Sequence, residues 1–216
     1  LLPGRGSWFV LGSVVTDASL PASEPVPDGC GTCRRCLDLC PTGAILDGGV
    51  VDARRCLAWL VQAPGTIPLE FREALEGRLY GCDDCQEACP VGRPERTADG
   101  TVDPAADVEA LSVLDASDDE VMDRFGRWYV AERDPRYLRR NALVALGNTG
   151  SGDDPATVRV LVEHLAHADA LLRAHAVWAV ARLGRTGLLA DHPDRGPGGD
   201  PAVAEELRQS DGRVGA

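Results

Sequence analysis

The chain has 216 residues, 44% hydrophobic and 26% charged, with a net charge of −12. That composition excludes a chain that is disordered or fibrous throughout, and no uncharged apolar run is long enough for a transmembrane helix. All 22 basic residues are arginine, so a general basic coat for nucleic acid is excluded, while a local arginine patch is not. The chain opens at Leu1, and Leu1 to Arg5 does not resemble a signal peptide. We read it as the C-terminal part of a longer protein.

In chain order, the apolar run Ser7 to Val15 predicts a buried strand or extended segment. Pro21, Pro25 and Pro27 mark Thr16 to Gly29 as an irregular linker. Ala44–Asp47, Gly48-Gly49 and Val50–Asp52 read as a short hairpin. A helix carrying Cys56 is expected over Asp52–Leu60, broken by Pro64-Gly65, and another over Pro68–Glu76 with Phe71 and Leu75 four apart. Residues 28–92 are expected to form one module, preceded by an apolar segment and linker over 1–27.

Arg93 to Pro104 is polar and turn-rich and reads as a boundary. Asp103 to Asp123 holds eight acidic residues and no basic one, with apolar positions (Val108, Leu111, Leu114, Val121, Met122) suited to short helices. From Pro135 the periodicity is helical. Leu138, Ala142, Leu143, Ala145 and Leu146 share one side, with Gly147 as a stop. Val158, Leu161, Val162 and Leu165 give a second helix, and Leu172, Ala176, Val177, Ala179 and Val180 a third. Arg139–Leu146 aligns with Arg173–Val180 at an offset of 34 residues, and Leu146–Gly150 with Leu183–Gly187 at 37. A helical repeat of this length reads as HEAT-like over 104–190; two unrelated amphipathic helices are the competing explanation. Residues 191–216, rich in Gly, Pro and Asp, read as a mostly mobile tail apart from a short helix over Pro201–Gln209. His175 and Trp178 read as core or groove residues.

The cysteines carry the chemistry. All eight lie between Cys30 and Cys89. Cys30, Cys33, Cys36 and Cys40-Pro41 form C-x2-C-x2-C-x3-C-P, and Cys82, Cys85 and Cys89-Pro90 form the same pattern less its first cysteine. Cys56 completes the set. Four disulfides suit a small, cysteine-dense secreted scaffold, whereas here the last 127 residues have no cysteine. Zinc favours two C-x2-C pairs, and a redox dithiol needs only one. Three cysteines in register wrap a 4Fe–4S cubane, and the Cys-Pro cysteine ligates the other cluster. Cys30, Cys33, Cys36 and Cys89 are therefore expected on one cluster, and Cys40, Cys56, Cys82 and Cys85 on the second. The fold class expected is an α+β dicluster ferredoxin-like module followed by an all-α HEAT-like repeat domain.

These strings, with Trp8–Gly12, Asp52–Leu57, Ile67-Pro68 and Tyr80-Gly81-Cys82-Asp83-Asp84-Cys85-Gln86, resemble epoxyqueuosine reductase. The resemblance implies an oxidoreductase that reduces the epoxide of epoxyqueuosine in tRNA to queuosine, the last step of queuosine biosynthesis. It implies cobalamin and two 4Fe–4S clusters as cofactors, with the cobalamin-binding and proton-donating parts in an N-terminal domain. No catalytic residue is then expected in this chain, which alone would be inactive. Leu11, Gln62, Ala63, Cys82 and Asp83 match positions beside the cobalamin; core packing is the competing role for Leu11. Arg133, Arg136, Arg139 and Arg140 are expected to contact tRNA phosphates, or else to form a solvated face pairing with the acidic stretch before them. The implied partners are the modified tRNA and an electron donor protein, with no membrane, for a cytoplasmic monomer. A dicluster ferredoxin-type carrier with a helical interaction module, and another corrinoid reductase such as a reductive dehalogenase, are the alternative functions.

Overall fold

Cysteine loops cannot bury much apolar surface themselves, so their support comes from the helices that follow. In the computed structural model, which describes residues 4–9, 11–91 and 108–213, the half-motifs sit on one-turn helices, α1 (Arg35–Asp38) and α4 (Asp84–Glu87), which pack on each other. Between them lie α2 (Leu57–Leu60) and α3 (Leu69–Arg72). Then come α5 (Ala110–Leu114), α6 (Asp118–Phe125), α7 (Arg136–Thr149), α8 (Pro155–Leu165), α9 (Ala170–Arg182) and α10 (Pro201–Arg213). α9 is central and packs on α7, α8 and α10, while α5 packs on α7.

The caps explain several boundaries. Ser117 and Glu120 form a capping box on α6. Asp154 caps α8 ahead of Pro155, and Asp169 caps α9. α9 ends in a Schellman turn: Gly184 at φ +72° lets its N–H reach Ala181 O while the Arg185 N–H reaches Val180 O.

Leu57, Leu60, Val61, Ile67, Leu75 and Leu79 join the same apolar cluster as the α7–α10 residues. The cysteine-bearing segment and the helices thus share one core, and the boundary read over Arg93–Pro104 lies outside the described residues.

Several expectations are corrected. Ser7 to Val15 is no buried strand: Leu11, Val14 and Val15 are exposed and irregular. The expected β content reduces, between described residues, to one antiparallel bridge from Ile45 to Val51 around a 3-10 turn at Asp47–Gly49. The Asp52–Leu60 helix is split, because Cys56 is extended (ψ 121°) between a 3-10 turn at Ala53–Arg55 and α2. Over Pro68–Glu76, α3 passes into a 3-10 turn at Glu73–Leu75.

The tail over 191–213 is not mobile. α10 runs on to Arg213, buries Val203 and Leu207, and places Glu206 on the Arg72 guanidinium at 2.9 and 3.0 Å. Asp194 organises the turn before it by accepting from Arg173 Nε and from the Asp200 N–H.

Gly147 does not stop α7, which runs two residues further. A Cβ there would lie 2.6 Å from a Trp178 ring carbon and 3.0 Å from the Ala179 Cα, so the glycine allows α7 and α9 to approach. The two Leu-Gly pairs of the internal alignment therefore do different work: Gly147 is a contact and Gly184 a cap. Gly147→Ala is expected to cost about 1–3 kcal/mol through overpacking, outweighing any gain in helix propensity. Chemical denaturation measures this, and an unchanged midpoint would contradict it.

Candidate iron–sulfur and substrate-facing site

The first cysteine loop turns through the Cys33 N–H on Cys30 O and leads into α1. Cys30 and Cys33 are exposed, and the other six cysteines are partly covered. Desolvation, then the Asp28 carboxylate, then Cys36 and Cys89 push the Cys30 thiol up. For Cys85 the upward influences are desolvation, Cys82, Cys56 and more weakly Cys36. Desolvation also leads the rise at Cys82, where Cys56 adds to it. Cys40 differs. Burial works against its thiolate, but N–H groups of Thr42, Ala44 and Ile45 together hold its pKa below the ordinary value.

Cys40 and Cys56 are tied through their neighbours. The Thr42 hydroxyl donates to Arg55 O at 2.6 Å, and Arg55 Nε and Nη2 donate back to Thr42 O at 3.1 and 2.7 Å. The Ala44 N–H points at Cys40 Sγ, 3.2 Å away. Ahead of the second half-motif, Arg78 grips Asp84 of α4 with two bonds of 2.9 and 3.0 Å and also donates to Leu75 O.

Among the described residues, no three His, Cys, Asp or Glu side chains are gathered as ligands of a single metal ion. The donor set is instead eight thiols, seven on the two half-motifs and the eighth, Cys56, at the start of α2. A cavity of about 770 Å³ is lined by Cys30, Cys33 and Cys36 together with Val26, Leu37 and Ile45. Thiol donors on an apolar wall, with N–H groups turned toward sulfur, fit a cluster better than a hydrated cation.

The residues expected beside a corrin fall into three situations. Leu11 is 89% exposed and stands outside the core of the described residues. Gln62 is half-buried, with its amide N–H on Ala58 O and its carbonyl accepting the Ala131 N–H at 3.0 Å. Ala63 is buried and its carbonyl is taken by Arg140, so of that pair only Gln62 reaches the surface. Cys82 and exposed Asp83 lead into α4. Tyr80, two residues earlier, accepts the Tyr129 N–H through its hydroxyl at 2.9 Å. Gln62 and the Tyr80–Asp83 turn are thus joined to one segment, Tyr129–Ala131, while Leu11 lies apart.

The arginines are corrected most. Arg139 is buried, pairs with Asp118 at 2.7 Å and also donates to Ala116 O. It is bound to the acidic stretch rather than offered to phosphate. Arg140 is 1% exposed and faces inward. Its Nη atoms donate to Leu60 O, Val61 O, Ala63 O and Gly65 O at 2.5–3.2 Å. Arg136 is half-exposed but paired with Asp134 and Asp169. Arg133 is exposed, its guanidinium on Gly126 O.

Asn141 extends the Arg140 network to Val61 O and Leu79 O, Asn148 reaches Arg72 O and Glu76 O, and His175 Nε2 accepts the Ile67 N–H. Four polar side chains of α7 and α9 therefore hold the backbone of the segment that joins Cys56 to Cys82. Sequence reasoning missed this set. Its only outward sign is a run of polar residues, Arg139 to Asn141, inside an otherwise apolar helix.

The fold and the thiol arrangement define a helix-rich iron–sulfur protein, and residues 29–92 match the family described as a 4Fe–4S double cluster binding domain. Among curated relatives, epoxyqueuosine reductase of Bacillus subtilis is 33% identical, with 96% of this chain and 50% of that protein covered. The enzyme of the same name from Xanthomonas campestris is 39% identical, covering 84% and 52%. A crystal structure of epoxyqueuosine reductase with a tRNA-Tyr epoxyqueuosine-modified stem loop superposes with a TM-score of 0.76 at 29% identity, over 91% of this chain and 53% of that one. The chain belongs to the epoxyqueuosine reductase family. It spans about half the length of these relatives.

Proposed function

We propose that this chain is the electron-relay and RNA-docking part of an epoxyqueuosine reductase, acting on the epoxide of epoxyqueuosine in tRNA. The observation that carries this is the joining of the two half-motifs: α1 packs on α4, and the Thr42–Arg55 bonds bind the Cys40 loop to Cys56. Cys30, Cys33, Cys36 and Cys89 are assigned to one 4Fe–4S cluster, supported by the influence of Cys36 and Cys89 on Cys30. Cys40, Cys56, Cys82 and Cys85 are assigned to the other, supported by the influence of Cys56 on Cys82 and of Cys82 and Cys56 on Cys85. When bound, such clusters supply one-electron transfer. The chain's own part is to hold the thiolates, shield them and fix the distance between the loops.

Cobalamin would be shared with the part of the longer protein beyond this chain, with Gln62, Cys82 and Asp83 nearest to it and Leu11 on an extended arm. α7 to α9 act as a HEAT-like support, a reading favoured by the packing of α7 on α9 at the 34-residue offset. Arg133 and Arg136 are the two of the four arginines that can approach tRNA phosphates. A soluble electron donor completes the set of partners, for a cytoplasmic monomer; among the described residues no helix is long and apolar enough to cross a membrane.

The intact protein, reconstituted without oxygen, is expected to bind about eight iron and eight sulfide, from two cubanes. Zinc in their place, or about four iron, would refute the two-cluster reading. Cys40→Ala should erase the paramagnetic signal of the Cys56, Cys82 and Cys85 cluster and leave the other, and Cys89→Ala should do the opposite. If Cys40→Ala removes the signal of the Cys30 loop's own cluster, the crossing is wrong.

A further inference from the structure

The segment after α6 has features that neither the core nor the clusters explain. Trp128 stacks on Tyr80 (4.9 Å, 6° between planes) and on Phe125 (4.7 Å, 26°), and the Arg124 guanidinium sits 4.8 Å over Phe125. This stack and buried Val130 fix the loop Gly126–Arg133 from beneath. Two bonds from its backbone N–H groups fix it laterally, Tyr129 N–H to the Tyr80 side-chain Oη and Ala131 N–H to the Gln62 backbone O. Arg133 closes it through Gly126 O. Glu132 and Arg133 both lie at φ +55°, a left-handed conformation in two successive non-glycine residues. Such strain persists where surrounding contacts over-determine it, and it gathers at functional loops.

What this rigid frame presents is a Tyr129 ring that is 65% exposed, beside Arg127, which is exposed and has no side-chain partner among the described residues. The backbone N–H groups of Tyr129 and Ala131 tie this loop to Tyr80 and Gln62. On a chain of net −12 this loop and the residue before its entrance Phe carry Arg124, Arg127 and Arg133 against Glu132 alone. An exposed aromatic ring in a loop that also carries an exposed guanidinium, without a side-chain partner among the described residues, suits an unpaired nucleobase and its phosphate, the means by which proteins hold single-stranded loops.

We infer that the Gly126–Arg133 loop is a contact for the single-stranded loop of an RNA stem loop, with Tyr129 the stacking platform and Arg127 its phosphate contact. The inference rests on the RNA reading above and locates it at residues no motif indicated. The loop's anchors at Tyr80 and Gln62 then have a purpose. They set the stacked base at a fixed position relative to Cys82 and to the surface Gln62 shares, so the nucleotide is positioned by the same backbone that carries the second half-motif.

The test uses the intact protein and an unmodified anticodon-type RNA stem loop, with binding read by fluorescence anisotropy over a salt series. Tyr129→Ala should weaken binding by about 5- to 100-fold, and Tyr129→Phe by no more than about twofold, because the ring and not the hydroxyl stacks. Arg127→Ala should lower the slope of log affinity on log salt by about one unit. Iron content and thermal midpoint should match the parent in all three. Parent-like affinity in Tyr129→Ala would overturn the inference while leaving the RNA reading intact. A lowered thermal midpoint in Tyr129→Ala, with affinity unchanged or not, would mean that protein covers the ring and would overturn it too. Failure of the parent to bind the stem loop would refute the RNA reading itself, and the inference with it.

Discussion

Replacing Arg140 with methionine is expected to destabilise the protein by about 3–5 kcal/mol, one of the largest single-residue effects outside the cysteines. The guanidinium is buried and no carboxylate is among its partners. Desolvation pushes its pKa down to about 10, with Tyr137 opposing the shift and Arg72 adding to it, so the group remains charged at neutral pH. What stabilises that charge is a set of oxygens: the carbonyls of Leu60, Val61, Ala63 and Gly65, and Asn141 Oδ1. The Tyr137 ring face adds a cation–π contact at 5.1 Å. Methionine fills much of the volume but leaves the Leu60, Ala63 and Gly65 carbonyls without this donor, Val61 O alone keeping Asn141. Arg140→Lys keeps the charge and loses the fork, so it should fall between the two. These carbonyls close the one-turn helix α2, whose N-terminal neighbour is Cys56. The methionine variant should therefore also retain less iron than the lysine variant after equal dialysis. A denaturation free energy within about 1 kcal/mol of the parent would show the network to be dispensable.

Arg140 also shows where the sequence is readable and where it is not. The cysteine spacing is legible because a cubane dictates ligand positions along the chain, and nothing else in the protein imposes that rhythm. The helices α7 and α8 are legible from their apolar period, and α9 from a nearly continuous apolar run, with Asp154-Pro155 and Asp169 as local cap signals. α10 is legible only as a short helix over Pro201–Gln209 and not as a docked one, since Val203 and Leu207 give only one i, i+4 pair and its docking depends on Arg72, more than 130 residues away in the chain. Charge was the most misleading cue. Four arginines within eight residues read as a phosphate-binding face, yet Arg139 and Arg140 are turned inward by partners that periodicity cannot reveal. A carbonyl is available at every position of a sequence, so nothing in the residue types marks the ones that a guanidinium will collect. Ser7 to Val15 misled for a related reason: strand-like composition specifies a preference for burial and not what supplies it, and here the segment lies exposed.

As pH falls below 6.5, stability is expected to fall by up to about 1.4 kcal/mol per pH unit because of His175 alone. The side chain is fully buried, between α9 and the segment that joins Cys56 to Cys82. Nδ1–H donates to Leu171 O at 2.7 Å and Nε2 accepts the Ile67 N–H at 3.3 Å, which fixes the neutral tautomer. Desolvation, with the nearby positive charges of Arg72 and Arg140, holds the pKa well below the usual histidine value. The sign follows from which state binds the proton. Below pH 6.5 the unfolded chain takes up a proton at this histidine and the folded chain does not, so acid favours unfolding. Above pH 6.5 neither state is protonated there, and the contribution is constant. His164, lowered by burial, acts in the same direction. Carboxylates whose pKa values are lowered by their partners, such as Asp194 with the Asp200 N–H and Arg173, lose their contribution only at lower pH. The histidine window is therefore separable. His175→Gln keeps a donor and an acceptor but carries no charge at any pH. It should be somewhat less stable than the parent at pH 8 and should show a flatter decline from pH 6.5 to 4.5, measured by denaturant titration at each pH. Parallel curves for the two proteins would mean that the buried histidine is protonated in the folded state, and that the Ile67 N–H does not require it as an acceptor.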